Sequence, residues 1–297
     1  MVAMDPQSAL LPSQSNPASQ RDGSRARAGA PGRSPHPAFR HGVLARAVEL
    51  AVIPRLLAVR PRPEAAVVSA GQVAELTDLT LLPAESAVLA FVGNLHDRGI
   101  AAEAIYLDLL TPAARRLGQF WVDDICDFTQ VTVGLWKLQN AMRTLEPAFL
   151  AGTRPARQAV GRALLVPLPG EQHTFGLSMV QGFFRRAGWS VWSGPVASRE
   201  ALAAMVRSES VDVLGFSLAC DERLDLVRTE IAAVRAASRN PGIAVMVGGP
   251  PFVADPALAA AVGADGTAID GLQAVAEAGA LLRRATGRRH ASLRRGS

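Results

Sequence analysis

Residues 168–182 read LPGEQHTFGLSMVQG, and one histidine, His173, stands there between Glu171 and Gly176. An imidazole can ligate a metal. A carboxylate two residues away can accept a hydrogen bond from the other ring nitrogen, fixing the tautomer and raising the basicity of the ligating one. Zinc would need three or four nitrogen, sulfur or oxygen ligands, and the sequence places no second His or Cys nearby. One protein nitrogen is enough only when the metal arrives with its other ligands, as in a haem or a corrin. Taken alone, a loop histidine is more often a surface or hydrogen-bonded residue than a ligand, so its setting decides.

That setting is a strand-to-helix turn. RALLVPL precedes the loop and an apolar helical stretch follows it. Four more short strand candidates come later: WSVW, VDVLGFSLA, IAVMVGG and a weaker DGTAI. Helical segments separate them around 176–187, 198–208, 221–238, 255–262 and 271–286. Strands alternating with helices at this spacing predict a parallel sheet covered on both faces. The expected order is 2-1-3-4-5, a Rossmann- or flavodoxin-like domain over 158–286 with its ligand crevice between strands 1 and 3. The His173 loop, Ser217 at the end of strand 3 and the Gly248-Gly249 turn after strand 4 then share the C-terminal edge of that sheet.

Before this domain the pattern is helical over 41–150. LARAVELAVIPRLLAV is one apolar-periodic piece, with Pro54 marking a kink or break. LPAESAVLAFVGNLHDRGI reads as a helix ending near Gly99, and AAEAIYLDLLTPAARRLG follows. Leu117, Trp121, Ile125, Phe128, Thr132, Leu135, Gln139, Met142 and Leu145 recur in steps of three and four, which predicts a single stripe over 117–145. Several helices with short connections predict a small bundle. Residues 1–40, rich in Pro, Ser, Gly and Arg, bury too little apolar surface to offset ordering entropy, and a disordered tail is expected.

Charge is concentrated at the ends. Residues 1–62 carry nine Arg against three acids, and 283–297 carry six Arg and none, whereas the body is acidic, 16 against 23. Basic tails can contact DNA or an acidic partner. They can also reflect arginine-biased composition, since Lys137 is the one lysine. No run of 18 apolar residues predicts a membrane span, and the start lacks the pattern of a signal peptide. Cys126 and Cys220 read as reduced thiols in apolar surroundings, so a cytoplasmic location is expected.

GEQHTFG, GFSLA and VGGPPF, in this order and at these spacings, resemble the cobalamin-binding domain of methionine synthase, base-off mutases and light-sensing regulators. That resemblance implies that His173 is the lower cobalt ligand, replacing the cofactor's own dimethylbenzimidazole, and that Glu171 orients it. It implies further that Ser217 meets the benzimidazole nitrogen, that Gly248 and Gly249 let backbone approach the nucleotide tail, and that Gly176 opens its channel. Two positions depart from the family pattern: Glu171 stands for Asp, and Ala219 for Leu. With the helical part included, residues 41–282 resemble the AerR/PpaA group of cobalamin-dependent photosynthesis-gene regulators, which act with or against a repressor protein. Trp121 would then face the upper side of the corrin, although its stripe also reads as plain core. The Glu-His pair of adenosylcobalamin sensors is replaced by Val131-Thr132, so hydroxo- or aquo-cobalamin is the form expected. His41 and His96 are further upper-face candidates, each better read as a helix-surface residue.

Three functions therefore compete. One is a non-enzymatic, light-responsive transcriptional regulator. The second is an enzyme component, a corrinoid carrier for a methyltransferase or a detached mutase subunit, whose partner would supply the catalytic barrel of about 250 residues for which this chain has no room. The third is a receiver- or flavodoxin-like interaction module that binds no corrin.

Overall fold

The computed structural model describes residues 67–151, 159–171, 174–194, 196 and 198–295, with side chains through residue 287. The expected tail over 1–40, the LARAVELAVIPRLLAV helix, His41 and His173 lie outside the described residues.

Helix α1 (Ala70–Leu81) starts where Ser69 accepts from the Gln72 amide and the Gln72 side chain answers to the Ser69 N–H. This reciprocal cap satisfies two orphan donors. Helix α2 (Glu85–Asp97) ends before Gly99, whose φ of +94° turns the chain. A single α-turn (Ala102–Ala104) then widens into a π segment (Ile105–Leu110) that runs on as α3 (Thr111–Val122). The stripe expected over 117–145 is broken after Val122. Asp124 takes φ +56°, and Asp127 with Gln130 forms a second capping box that starts α4 (Phe128–Leu150). The periodicity carried across the break, whereas the capping chemistry of Asp127 decided the boundary.

The second half alternates as expected: β1 (Arg162–Pro167), α5 (Phe175–Arg186), β2 (Ser190–Ser193), α6 (Arg199–Ser208) and β3 (Val213–Ser217). It continues with α7 (Leu224–Ala237), β4 (Ala244–Gly248), the short α8 (Pro250–Ala254) and α9 (Ala257–Ala261), β5 (Gly266–Thr267) and α10 (Gly271–Arg295). All pairings are parallel and the order is β2-β1-β3-β4-β5. The switch in winding direction therefore falls between β1 and β3, where open sheets of this class bind ligands. Leu164, Val166, Leu214, Phe216, Val245 and Val247 are buried on one face; Ala163, Leu165, Val213, Ala244 and Met246 are buried on the other. Both faces are covered, which is why the strands read as continuous apolar runs.

The helices and the sheet layer share a core. Met179 and Phe183 of α5 belong to the same buried cluster as Leu76, Leu109 and Phe149. Tyr106, in the π segment, stacks on Phe149 with centroids 4.2 Å apart and planes 4° from parallel. Phe183 meets Phe149 edge-on at 5.0 Å. The Tyr106 hydroxyl donates to the Met142 carbonyl at 2.7 Å, and burial raises its pKa far above the ordinary phenol value. Salt bridges Arg186–Glu103 (3.2 Å) and Arg185–Glu146 (3.6 Å) flank the contact. Lys137, only 3% exposed, donates from Nζ to the Thr80 carbonyl at 2.9 Å and to that of Leu82. It thereby satisfies carbonyls at the end of α1 and places a cation on the negative pole of its dipole.

Candidate functional site

Pro167, Ser217 and Gly248 are Cα partners in register, so the ends of β1, β3 and β4 form one row at the C-terminal edge. Two backbone bonds extend that row past the strands: Leu168 N–H to Ser217 O at 3.2 Å, and Leu218 N–H to Gly248 O at 3.0 Å. Ser217 is half-buried. A Cβ built on Gly248 meets nothing within 4 Å, and the same holds for Gly176 in the first turn of α5. Both glycines border open space at the switch point. Gly249 differs. Its φ is +114°, and a Cβ there would lie 1.9 Å from the Leu218 carbonyl oxygen. The close approach that requires glycine at 249 is thus to the chain's own β3 loop, which accounts for the residue without a ligand.

Glu171 lies at the same edge. Its side chain is 5% exposed, and Oε2 accepts from the Ala219 N–H at 3.2 Å and lies 3.9 Å from Arg223 Nη1. Arg223 also donates to the Pro169 carbonyl. The carboxylate therefore ties the loop after β1 to the loop after β3. Sequence reasoning missed Arg223, which lies in the short 3₁₀ turn ahead of α7, because only the fold brings it 52 positions back to Glu171. It also missed Thr267. At the end of β5, beside Val247, its hydroxyl oxygen is buried with no hydrogen-bond partner among the described residues.

Cys220 follows on the same loop. It is half-buried beside acidic side chains rather than in the apolar setting expected, and a hydrogen bond to Glu222, then burial, push its thiol pKa up. Cys126 is buried and its thiol is raised, chiefly by desolvation. His96 is committed locally, its Nδ1 lying 3.1 Å from the Ile100 carbonyl oxygen.

Above the edge stand the helices. Gln139 of α4 donates to Ser178 of α5 at 3.3 Å, and Glu146 pairs with Arg185, so the two helices run in the same direction. Phe128 to Gln139 is about 16 Å of helix, whereas Phe175 to Ser178 is about 4.5 Å. The first turns of α4 therefore project about 12 Å beyond the start of α5. On this overhang six large apolar side chains are exposed: Trp121 (50%), Val122, Ile125, Phe128 (68%), Val133 and Trp136. The core reading of the stripe is thus overturned for its middle, Trp121, Ile125 and Phe128, which flank the break at 123–127, while Leu117, Met142 and Leu145 are buried as that reading expects. Val253, Ile269 and Leu272, exposed just past β4 and β5, add apolar surface at the edge itself. Large apolar side chains exposed in such number near one edge of the sheet point to a ligand or partner.

The C-terminal edge of a parallel sheet at its switch point, with an apolar overhang beside it, is where α/β proteins of this class bind ligands. The model of the B12 binding domain matches residues 161–278 of this chain. The chain is 34% identical over 92 residues to an uncharacterized 20.5 kDa protein of the bchF-crtJ intergenic region of Rhodobacter capsulatus. That match spans 31% of this chain and 47% of the relative, so the chain covers about half the length of the curated relative it matches. The fold is similar to the monomethylamine corrinoid protein of Methanosarcina barkeri, with a TM-score of 0.57 and 20% identity over 69% of this chain and 95% of that one. Among the described residues no helix is long and apolar enough to cross a membrane.

Proposed function

We propose that this protein is a cytoplasmic, non-enzymatic cobalamin-dependent regulator of gene expression, responsive to light, that signals to a transcriptional repressor protein. The observation that carries the reading is the overhang: Trp121, Phe128 and Trp136 present apolar surface beyond the sheet edge where Gly176 and Gly248 leave open space. A flat, largely apolar macrocycle suits such a space. Similarity to a protein encoded between bchF and crtJ supports a link to photosynthesis genes.

His173 is the cobalt ligand in this reading, the neighbouring Glu171 steadies its loop, and Ser217 and Thr267 offer hydroxyls to the buried nucleotide tail. Cobalamin would supply a light-sensitive metal centre, and Trp121 would contact the cofactor from the side of the helices. The overhang then holds one position relative to the groove for each upper ligand, because only a ligand that binds two arrangements differently can shift them. The hydroxo or aquo form is the one favoured here, since Val131 and Thr132 supply no imidazole to the upper face.

A second reading, a corrinoid carrier for a methyltransferase, draws support from the fold shared with the monomethylamine corrinoid protein. One experiment separates the two. The protein is purified in the dark with methyl-, adenosyl- or hydroxocobalamin, and absorption spectra are recorded before and after illumination, with His173→Ala in parallel. A histidine-on, base-off spectrum in wild type only, strongest with hydroxocobalamin or after light, supports the regulator. Transfer of the methyl group from bound methylcobalamin to a thiol or pterin acceptor supports the carrier. No retained corrin overturns both.

A further inference from the structure

The sequence predicts that the last helix ends near residue 286, but α10 continues to Arg295. Its first half is structural: Ala274, Ala278 and Leu281 are buried against the sheet. The helix starts at the C-terminal edge, after β5, and Leu282 reaches Gly161, the residue before β1. At that level the sheet ends. Ala285 is still buried, and the helix then runs on past the N-terminal edge, residues 283–295 spanning about 20 Å, on the side of the sheet away from the Ser217–Gly248 edge.

This projecting piece carries Arg283, Arg284, Arg288, Arg289, Arg294 and Arg295 and no acidic residue. Arg283 and Arg284 are exposed, and among the described residues neither takes part in an ion pair. Arg284 and Arg288 are spaced i,i+4, a like-charge pair that disfavours the isolated helix, and an external polyanion would relieve that repulsion. A membrane surface fits poorly. The apolar residues here are Ala285, Ala291 and Leu293, too few for the apolar face that interfacial helices bury.

We propose that residues 283–295 form a helical arm that binds duplex DNA, mainly through phosphates, with a single helix of the size the major groove admits. The proposal deepens the regulatory reading by placing a DNA contact at the end remote from the cofactor, yet its evidence is the geometry and charge of α10 alone.

The test uses the full-length protein loaded with hydroxocobalamin and a fluorescently labelled 30-base-pair duplex, with Kd followed by anisotropy between 50 and 200 mM NaCl. Each phosphate contact contributes about −0.9 to the slope of log K against log salt. Removing four charges with Arg288→Gln, Arg289→Gln, Arg294→Gln and Arg295→Gln should flatten the slope by roughly 3.6. Over this fourfold salt range that is a difference of roughly 150-fold in how much affinity is lost. A control replaces Arg21, Arg25, Arg27 and Arg33 with Gln. An unchanged slope in the first variant, a loss confined to the control, or binding to anionic vesicles or an acidic protein but not to the duplex would each overturn the proposal. Corrin absorbance, read on the same samples, scores the cofactor reading separately, so that reading can fail while the DNA result stands.

Discussion

At the scale of single residues, Gly248 and Gly249 are adjacent in sequence yet do different work. Gly249→Ala places a Cβ against the Leu218 carbonyl at a positive φ, and a loss of about 1–3 kcal/mol is expected from the backbone alone. Gly248→Val fills open groove instead. Thermal unfolding should register the first substitution, whereas corrin retention should register the second with little change in Tm. Cys220 carries a pH prediction. A thiol whose pKa is raised holds less thiolate at a given pH, so alkylation by iodoacetamide at pH 8 should be slower than for a free thiol. Glu222→Ala, which removes the acceptor of the hydrogen bond that is the largest cause of the shift, should accelerate it. Ser217 and the Gly248-Gly249 pair were legible in the sequence because strand ends punctuate it with small residues. Arg223 and Thr267 were not, since a salt bridge between loops and an orphaned hydroxyl on an edge strand leave no spacing to read.

At the scale of elements, the Tyr106–Phe149–Phe183 stack fixes α4 against α5, and with it the height of the overhang. Phe149→Ala should cost about 3–5 kcal/mol, read as a lower denaturant midpoint. Phe149→Leu keeps the volume and should recover most of it. Asp127→Ala removes the cap that starts α4, at a cost of about 1 kcal/mol, and should loosen the 123–127 turn that exposes Trp121 and Phe128. Faster amide exchange confined to that turn and the first turns of α4 would show it. The five strands and their order were readable because parallel strands buried on both faces leave unbroken apolar runs. The division of 117–145 into two helices was harder to read. Periodicity ran through the break, while the deciding signal was Asp127 three residues before Gln130. The π segment left no mark, because widening a turn changes hydrogen-bond partners and not residue types.

At the scale of the whole molecule, the two edges of the sheet differ in character: an apolar overhang stands beyond the C-terminal edge, and a charged helix leaves the other. Replacing Trp121, Phe128 and Trp136 with Ser should reduce binding of a hydrophobic dye to the corrin-free protein and weaken corrin retention, with Tm nearly unchanged because these side chains are exposed. A large fall in Tm instead would show that they are packed.

Lys137, the one lysine of the chain, lies sealed between α1 and α4 with its ammonium on the Thr80 and Leu82 carbonyls. An acylating reagent that modifies lysine therefore finds its target only when those helices part. The same seclusion withholds the site from trypsin while arginines elsewhere remain open to cleavage. Pulsed acylation followed by mass analysis of the peptide containing Lys137 would thus clock the opening of the helical layer, with no probe introduced.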